Sequence, residues 1–289
     1  MTDYIIISPV RNEEDYVEQT IESVLNQTCR PKEWIIVNDG STDNTREIIE
    51  RYLPSNPWIK LVNLEDRGFY YPGTGVVNVI TEGLKKAPQN GWEYLAKLDC
   101  DVTFDKNYFE SIFREFSSNE KLGIASGAIY LIDGKKTVKE KSQYDHPWGA
   151  TKVYRASCFR DIEGWKPIPG WDLADLLSAQ MKGWDTRCFD EIKIYHHRES
   201  GSRRTGFTAG KFLLGRFLYR YGYNFFYTVL KGFARLNERP YIIGGLSLIF
   251  GYIYAFVSNE DRLFEKDMRK FLRKKQFHYL KRKFNKNSD

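Results

Sequence analysis

The stretch YIIISPVRNE, residues 4–13, decides the fold class. Its first seven residues form a nearly continuous apolar run, which is typical of a strand that is buried on both faces of a parallel sheet. A helical pattern follows, with Asn12 as its expected N-cap and with its apolar side within residues 17–25. A strand that leads directly into a helix predicts a βαβ unit.

The same alternation continues through the first half of the chain. Further strands are predicted at residues 34–37, 59–63, 93–98 and 123–131, with helices between them, and a late strand at 192–195. Alternating strands and helices predict an α/β domain with a Rossmann-like, mainly parallel sheet flanked by helices. We expect this domain to cover residues 1–205.

The composition of the 289-residue chain suits a folded cytoplasmic protein. Apolar residues make up 42% of it, enough for a full hydrophobic core. The four cysteines are scattered without a CxxC pair, which argues against a zinc ribbon or a disulfide scaffold and fits a reducing compartment. Because Asp3 precedes the first apolar run and no basic segment comes before it, we expect no signal peptide.

The net charge of +6 comes from the last tenth of the chain. The 28 residues from Arg262 onward contain 11 Lys and Arg against 3 Asp and Glu, whereas the remaining 261 residues are slightly acidic. Nucleic-acid binding would need basic residues over a folded face, so no nucleic-acid partner is expected. A basic tail suits an anionic membrane surface at least as well as solvent.

Two segments before the tail favour a membrane. Residues 207–236 mix aromatic and basic side chains, and residues 241–257 form a 17-residue run without a charge, at the lower limit of a spanning helix. We expect residues 206–289 to form a helical appendage that lies on, or dips into, the cytoplasmic face of a membrane. The alternative is a buried helical hairpin followed by a solvated basic helix.

Polar loops follow three of the predicted strands, at residues 9–13, 38–43 and 99–101. Parallel sheets bind ligands beyond the carboxyl ends of their strands, so these loops form the candidate site. Asp99 and Asp101 are two residues apart and point the same way if the chain is extended. Two such carboxylates suit Mg²⁺ or Mn²⁺ that is also held by phosphate oxygens, although a solvated turn is the alternative.

Other polar residues add to this candidate site. Asp39 can accept a hydrogen bond from a base or a ribose, or it serves an Asx turn. Asp172 and Asp175 share a helix face, and either could be a general base, with an N-cap as the alternative role of Asp172. His196 and His197 end a strand and could be metal ligands, and Arg198, which follows them, could clamp a diphosphate or lie on a surface loop.

These residues together resemble a known family. Residues 8–14, 23–27 and 37–45 resemble the opening of the inverting family 2 glycosyltransferases, and Asp99-Cys100-Asp101 falls at the spacing of their DxD motif. Gly170-Trp171-Asp172, followed by Gly183-Trp184, resembles their acidic motif on the acceptor side. The resemblance covers residues 4–205.

The resemblance implies a GT-A fold, a nucleotide-diphospho-sugar donor, a divalent cation and transfer to an acceptor hydroxyl with inversion. It divides the domain into a nucleotide-sugar-binding half at 1–101 and an acceptor half at 102–205. In this interpretation Asp39 binds the base, Asp99 the ribose or the metal, and Asp101 the metal, with His196 or His197 nearby. Asp172 deprotonates the acceptor. The remaining donor-side residues are Pro9, Val10, Asn12, Glu13, Arg67 and Arg198.

The sequence also departs from the family. The acceptor-side Glu-Asp pair reads Trp171-Asp172 here, so Asp175 stays open as the base. The QxxRW segment of processive cellulose-type or hyaluronan-type synthases is absent. A lipid-linked saccharide or a polysaccharide is the expected acceptor. A non-catalytic nucleotide-sugar or membrane-binding module and, less favoured, a sugar-phosphate nucleotidyltransferase are the alternatives.

Overall fold

The computed structural model describes residues 2–66, 73–133, 136–140, 144–197, 207–236 and 241–285. The chain divides into two compact units, unit 1 (residues 1–199) and unit 2 (residues 200–289). All the strands of the described residues belong to unit 1, whereas unit 2 is helical.

The strands of unit 1 are β1 (Tyr4–Val10), β2 (Glu33–Asp39), β3 (Ile59–Leu64), β4 (Tyr94–Leu98), β5 (Val102–Phe104), β6 (Leu122–Asp133), β7 (Lys136–Lys139), β8 (Thr151–Arg155) and β9 (Asp185–His196). Its helices are α1 (Val17–Leu25), α2 (Thr45–Tyr52), α3 (Thr74–Lys86), α4 (Tyr108–Ser118), α5 (Ala156–Asp161) and α6 (Trp171–Met181). Unit 2 contains α7 (Phe207–Tyr221), α8 (Phe225–Phe233), α9 (Ile243–Val257) and α10 (Lys266–Asn285).

The strands form one sheet in the order β3-β2-β1-β4-β8-β6-β9-β5, with β7 beside β6. The first four strands of this order are parallel, as the sequence predicts. From β4 onward the sheet is mixed, because β8 runs antiparallel to both β4 and β6 while β6 and β9 are parallel. The parallel half brings the carboxyl ends of β1, β2 and β4 to one edge.

Burial on both faces explains the continuous apolar run of β1. Tyr4 and Ile6 pack into one core, on the side of α1 and α4, whereas Ile5 and Ile7 pack into a second core on the side of α3 and α6. Successive side chains of a strand point to opposite faces, so a strand between two helical layers needs an apolar residue at every position.

The structure corrects the prediction for the start of the first helix. Asn12 is not its N-cap, since α1 begins at Val17 and Asn12 itself has a φ of 52°. Asn tolerates this left-handed conformation better than most residues because its short side chain bonds locally. The late strand is also longer than predicted, and β5, β7, β8 and α5 were not predicted at all.

Unit 2 is held together by close helix packing. A Cβ on Gly215 of α7 would collide with the carbonyl of Leu248 on α9, and a Cβ on Gly251 would collide with the carbonyl of Phe212 on α7. Leu248 and Tyr252 are buried at this contact. Small residues therefore allow the two backbones to touch.

The uncharged segment at 241–257 contains α9, which buries one side against α7 and α8. Its other side exposes large apolar residues, among them Leu246, Phe250 and Val257. In the part of the chain that the structure describes, none of the helices combines the length and the apolar character needed to cross a membrane.

Candidate functional site

The loops after β1 and β2 are bound to each other at the carboxyl edge of the sheet. Asn12 Oδ1 accepts a hydrogen bond from the Thr42 amide at 2.8 Å, and the Asn12 amide donates to Ser41 Oγ at 3.0 Å. The Glu13 amide donates to Thr45 Oγ1 at 2.8 Å. Asn12 therefore joins the loop after β1 to the loop after β2. The sequence of either loop alone does not predict this contact.

Arg11 fixes the end of β2. Its Nη1 donates to the backbone carbonyl of Asp39 at 2.5 Å, and its Nη2 donates to Asp66 Oδ1 at 2.7 Å. Gly40, at a φ of 65°, lies so close to the backbone of Asp66 that a Cβ would collide with it. These contacts hold Asp39, which is buried, at the tip of β2.

A buried lysine, Lys97, lies near the carboxyl end of β4, two residues before Asp99. Lys97 is 3% exposed, and its Nζ lies 2.5 Å from Asp99 Oδ1 and 2.8 Å from the Gly149 carbonyl oxygen. Burial raises the pKa of Asp99, the charge of Lys97 opposes that rise, and the carboxylate of Asp101 adds to it. Asp99 and Asp101 therefore interact electrostatically across the turn.

Asp101 faces a histidine from the neighbouring strand. Its Oδ2 lies 3.3 Å from Nε2 of His196, because Val102 and His196 are partners in the β5–β9 ladder. Burial lowers the pKa of His196, but the hydrogen bond and charge of Asp101 and the charge of Asp99 outweigh it, so that the net shift is upward. Asp99, Asp101 and His196 thus form one electrostatic cluster.

His197 lies on the other side of this turn. Its Nε2 is 2.9 Å from Thr103 Oγ1, its ring stacks on Tyr16 and its burial lowers its pKa. Its amide donates to the Asp101 carbonyl at 3.1 Å. Of the two histidines, His196 is therefore the one whose side chain contacts Asp101.

The donor atoms of this cluster fit a divalent cation that takes part of its shell from a ligand. A carboxylate and an imidazole suit Mn²⁺, and Mg²⁺ or Mn²⁺ bound with a nucleotide needs only one or two protein ligands. Over the ranges that the structure describes, no group of three or more His, Cys, Asp or Glu side chains converges closely enough to hold a metal ion. Phosphate oxygens and water would have to complete the coordination.

The acceptor-side motif lies at the start of α6. Gly170 precedes the helix with a φ of 78°, and Asp172 is half-buried in the first turn, so it is not the N-cap. A Cβ placed on Gly149 would lie 3.9 Å from Asp172 Oδ2, which puts that carboxylate beside Gly149. Gly149 also accepts the hydrogen bond from Lys97, so it links Asp172 to the cluster at the end of β4.

Asp175 is enclosed in the protein. It forms an ion pair with Lys152 at 3.0 Å, and the side chains of both residues are at most 1% exposed. The hydroxyl of Tyr154 and the amide of Leu176 also donate to it. Burial raises the pKa of Asp175, although Lys152 and Tyr154 oppose the rise.

Lys97 and Lys152 were not among the predicted site residues. They are cross-strand partners in the β4–β8 ladder, and their Nζ atoms lie 5.7 and 5.4 Å from the ring centroid of Trp171. A lysine at position 97 of an otherwise apolar strand, two residues before Asp99 and on the same face, was a signal in the sequence. Lys152 gave no such signal, because β8 was not predicted.

The remaining predicted residues divide into three groups. Val10 is buried in the core, so only its backbone can contact a ligand, whereas Pro9 is half-buried at the same strand end. Glu13 is buried next to the loop bonds described above. Arg67 and Arg198 lie outside the described residues.

The family of the chain follows from a comparison with known protein families. The family model described as "Glycosyl transferase family 2" matches residues 5–167, which include the ends of β1, β2 and β4. The chain belongs to glycosyl transferase family 2. The predicted family is thereby confirmed; the match ends before Asp172.

Similar family 2 glycosyltransferases are longer than this chain. It is 37% identical over 197 residues to the poly-beta-1,6-N-acetyl-D-glucosamine synthase of Staphylococcus epidermidis, a match that covers 63% of this chain and 45% of that enzyme. The corresponding synthase of Staphylococcus aureus (strain MSSA476) is 34% identical over 116 residues, covering 40% and 26%. The chain spans less than half the length of these relatives.

Solved structures confirm the predicted GT-A class of α/β fold. Residues 1–349 of TarS from S. aureus, in complex with UDP-GlcNAc, align with a TM-score of 0.54 at 16% identity and cover 94% of this chain and 78% of that one. The mannosyltransferase PcManGT from Pyrobaculum calidifontis, in complex with GDP-Man and Mn²⁺, aligns with a TM-score of 0.54 at 13% identity, covering 93% and 78%. At these identities the likeness concerns the fold alone.

Proposed function

We propose that this family 2 glycosyltransferase moves a sugar from a nucleoside-diphosphate donor to a hydroxyl group of a saccharide acceptor, with inversion at the transferred carbon. The observation that carries the proposal is the link through Gly149. It joins the Asp99–Asp101 cluster at the donor edge to the half-buried carboxylate of Asp172. An inverting transfer needs a diphosphate site and a general base on opposite sides of one sugar, and the contacts of both groups with Gly149 support such an arrangement.

We infer a UDP-sugar as the donor, with UDP-GlcNAc as the first candidate. The staphylococcal relatives are named as N-acetylglucosamine polymer synthases, and the TarS structure contains UDP-GlcNAc. On this chain Asp39 would accept hydrogen bonds from the base, with Pro9 and Glu13 lining the nucleoside pocket. Asn12 and the backbone of Val10 would shape that pocket through the bonded loops.

Asp101, together with one of its two neighbours, Asp99 or His196, would hold Mg²⁺ or Mn²⁺ against the diphosphate, and phosphate oxygens and water would complete the coordination. When bound, the cation neutralises the negative charge that develops on the departing diphosphate. The part of Lys97 is to hold the carboxylate of Asp99 in place. Arg67 and Arg198 remain candidates for contacts with the diphosphate.

Asp172 is the proposed general base. Its carboxylate would accept the proton of the acceptor hydroxyl as that oxygen attacks the sugar from the face opposite the diphosphate. Asp175 is less suited to this role, because a solvent-excluded carboxylate that already accepts bonds from Lys152 and Tyr154 cannot be reached by an acceptor. Asp175 instead supports the start of α6 through Lys152, whose Nζ also donates to the Asp172 carbonyl at 2.6 Å.

Unit 2 is proposed to bind the cytoplasmic face of a membrane, where a lipid-linked saccharide or a growing polysaccharide would be within reach. Large apolar side chains are exposed on α8 and α9, and α10 is rich in lysine and arginine. Exposed apolar residues beside basic ones are typical of helices that lie in the interface of an anionic bilayer.

The proposal is tested by measuring UDP release and sugar transfer from UDP-GlcNAc with Mn²⁺ and an oligosaccharide acceptor. Asp172→Asn should lower transfer by about 10²–10⁴-fold, the usual range for a lost general base, while UDP binding is unchanged. Asp190→Asn is the matched control, because Asp190 is a 69% exposed carboxylate on β9. Full transfer by the Asp172 variant would remove Asp172 from the mechanism, and retained UDP binding without transfer by the unmodified chain would favour a non-catalytic binding module.

A further inference from the structure

Unit 2 contains a cavity of about 430 Å³ that the proposed transfer reaction does not use. It lies between the beginning of α8, the end of α9 and α10. Its walls include the aromatic rings of Phe225, Tyr252 and Phe256, and its polar lining includes Arg262 and Arg273. An apolar cavity with two guanidinium groups suits a ligand that has both an apolar part and a negative charge.

The two arginines are held in place by backbone carbonyls. Arg262 stacks on the ring of Tyr219, with its Cζ 3.5 Å from the ring centroid, and its Nη1 donates to the Tyr219 carbonyl. Arg273 donates from Nε to the Gly222 carbonyl at 2.9 Å. Arg262 also forms a hydrogen bond with the side chain of Tyr252. Because a guanidinium group has five N–H donors, both arginines keep donors for a ligand.

Neither arginine is neutralised by a carboxylate within the described residues of unit 2. The nearby Arg216 and Arg220, in contrast, both contact Glu260, at 2.7 and 3.8 Å. The beginning of α8 and the end of α9 both lie at the cavity, and because their partial charges have opposite signs, the charge of the cavity comes from the two arginines. The two guanidinium groups therefore give the cavity a positive charge, and their planar shape matches phosphate oxygens.

The mouth of the cavity is apolar and exposed. Phe225 is 49% exposed, Phe256 is 64% exposed and the adjacent Val257 is 76% exposed. A small soluble phosphate would leave these rings in water. A second copy of the chain would bring the same positive charges face to face, which is unfavourable.

We propose that this cavity binds the phosphate-bearing headgroup of an anionic membrane phospholipid, with the acyl chains lying along the exposed apolar residues of α8 and α9. The inference rests on the proposed membrane association of unit 2 and adds the class of lipid that the unit recognises. Arg262 and Arg273 bind the phosphate, while Phe225 and Phe256 insert at the level of the glycerol and the upper acyl chains. Phosphatidylcholine carries the same phosphate, but its choline would add a third positive charge beside the two guanidinium groups, so the site favours anionic over zwitterionic lipids.

The test is flotation of the 289-residue chain with vesicles of phosphatidylcholine alone or mixed with phosphatidylglycerol, at low and high salt. The unmodified chain should prefer the anionic vesicles, and part of that preference should survive high salt. The double variant Arg262→Gln/Arg273→Gln should lose the preference by about tenfold more than Lys274→Gln/Lys281→Gln, which removes the same charge from positions of α10 that do not line the cavity. Equal losses in the two double variants would show diffuse attraction to the surface and would overturn the proposal.

A second pair of variants leaves the arginines and their backbone bonds intact. Phe225→Asp places a negative charge at the mouth of the cavity, whereas Phe233→Asp places it on the same helix at a residue that is 56% exposed and does not line the cavity. Both substitutions remove one exposed aromatic ring, but only Phe225→Asp should abolish the preference for anionic vesicles. The same loss in both variants would contradict a headgroup site.

The outcomes also separate this proposal from the others. Equal binding to both kinds of vesicle by the unmodified chain would leave membrane association standing and reject the headgroup site. Absence of binding to any vesicle would reject both. UDP release from UDP-GlcNAc, measured without vesicles on the same variants, should be unchanged, so a failure of the transferase proposal would be seen independently.

Discussion

Lys97 is a buried cation that contacts Asp99 of the proposed metal site. Its Nζ contacts Asp99 Oδ1 at 2.5 Å in a position that is only 3% exposed, and Asp99 in turn interacts with Asp101. An ammonium group at this distance competes with any other cation for the same carboxylate. The positive charge of Lys97 therefore offsets the repulsion between the carboxylates of Asp99 and Asp101 before the nucleotide and metal bind.

Lys97→Met should raise the affinity of the nucleotide-free chain for Mn²⁺ by about tenfold, because removing one positive charge at this distance is equivalent to about one pKa unit or more. The measurement is titration with Mn²⁺ followed by electron paramagnetic resonance of the free ion. Lys121→Met, on an exposed lysine of unit 1, is the control. An unchanged Mn²⁺ affinity would mean that Asp99 does not bind the cation.

Asp175→Asn should destabilise unit 1 by about 3–5 kcal/mol, because it leaves the ammonium group of Lys152 buried without a counter-charge. Urea unfolding followed by tryptophan fluorescence reports on unit 1 alone, since all seven tryptophans lie between residues 34 and 184. Lys60→Met removes a surface ion pair with Glu33 and should cost only about 0–1 kcal/mol. If the two variants unfold at the same urea concentration, the buried pair is not structural.

At the scale of residues, the sequence predicted where Asp39, Asp99 and Asp101 lie better than it predicted their surroundings, and their chemical roles stay predictions. Strand ends are visible in a sequence, so Asp39, Asp99 and Asp101 could be assigned to one edge of the sheet, whereas Asp172 lies in a helix and could not. The role of Asn12 in joining two loops could not be predicted, because its partners Ser41 and Thr42 lie 29 and 30 residues further along the chain. Contacts of this kind depend on how the strands pair.

Because the helices of unit 2 pack closely, we expect a Gly→Ala substitution in one of them to lower the stability of the unit instead of raising it. A Gly→Ala change inside a helix normally stabilises it, by about 1 kcal/mol at an exposed position. Gly251→Ala should instead destabilise unit 2, because the new Cβ meets the carbonyl of Phe212. Thermal unfolding followed by far-ultraviolet circular dichroism should show a helical transition at lower temperature, with tryptophan fluorescence unchanged.

Ser247→Ala is the control for this experiment, since Ser247 lies on the same helix and is only half-buried. It should leave the helical transition where it is or raise it slightly. A Gly251 variant with a raised transition would show that α7 and α9 do not pack as closely as described.

Among the elements, the strands β1 to β4 were predicted because each contains a short, mainly apolar run that alternates with a helical pattern. The segment that forms β8, with the sequence TKVYR, was missed because Lys152 and Arg155 interrupt the pattern. Both basic residues are satisfied by distant partners, Asp175 for Lys152 and the carbonyls of Leu122 and Phe116 for Arg155. Only three residues form β5, too few for a periodic signal.

The whole molecule combines an acidic α/β unit, with seven more Asp and Glu than Lys and Arg, with a strongly basic helical unit. A chain that ends at residue 199 should bind UDP with Mn²⁺ as the full chain does, because every described residue of the proposed donor site belongs to unit 1. The same truncated chain should no longer float with anionic vesicles. Loss of UDP binding on truncation, measured by calorimetry, would place part of the donor site in unit 2.

The overall class of fold was predictable from the sequence, whereas the sheet order was only partly so. The parallel order of β3, β2, β1 and β4 follows from the alternation of strands and helices. The antiparallel return of β8 depends on long-range pairing that leaves no periodic pattern in the sequence. That return brings Gly149, and with it Asp172, to the edge where Asp99 and Asp101 lie.

The most direct test of the central claim is calorimetric titration of the full-length chain with UDP, with and without Mn²⁺. The account predicts that Mn²⁺ raises the affinity for UDP by about tenfold or more, and that Asp101→Asn removes this gain while the chain stays folded. Equal UDP affinity with and without Mn²⁺, or an undiminished gain in the Asp101 variant, would contradict it.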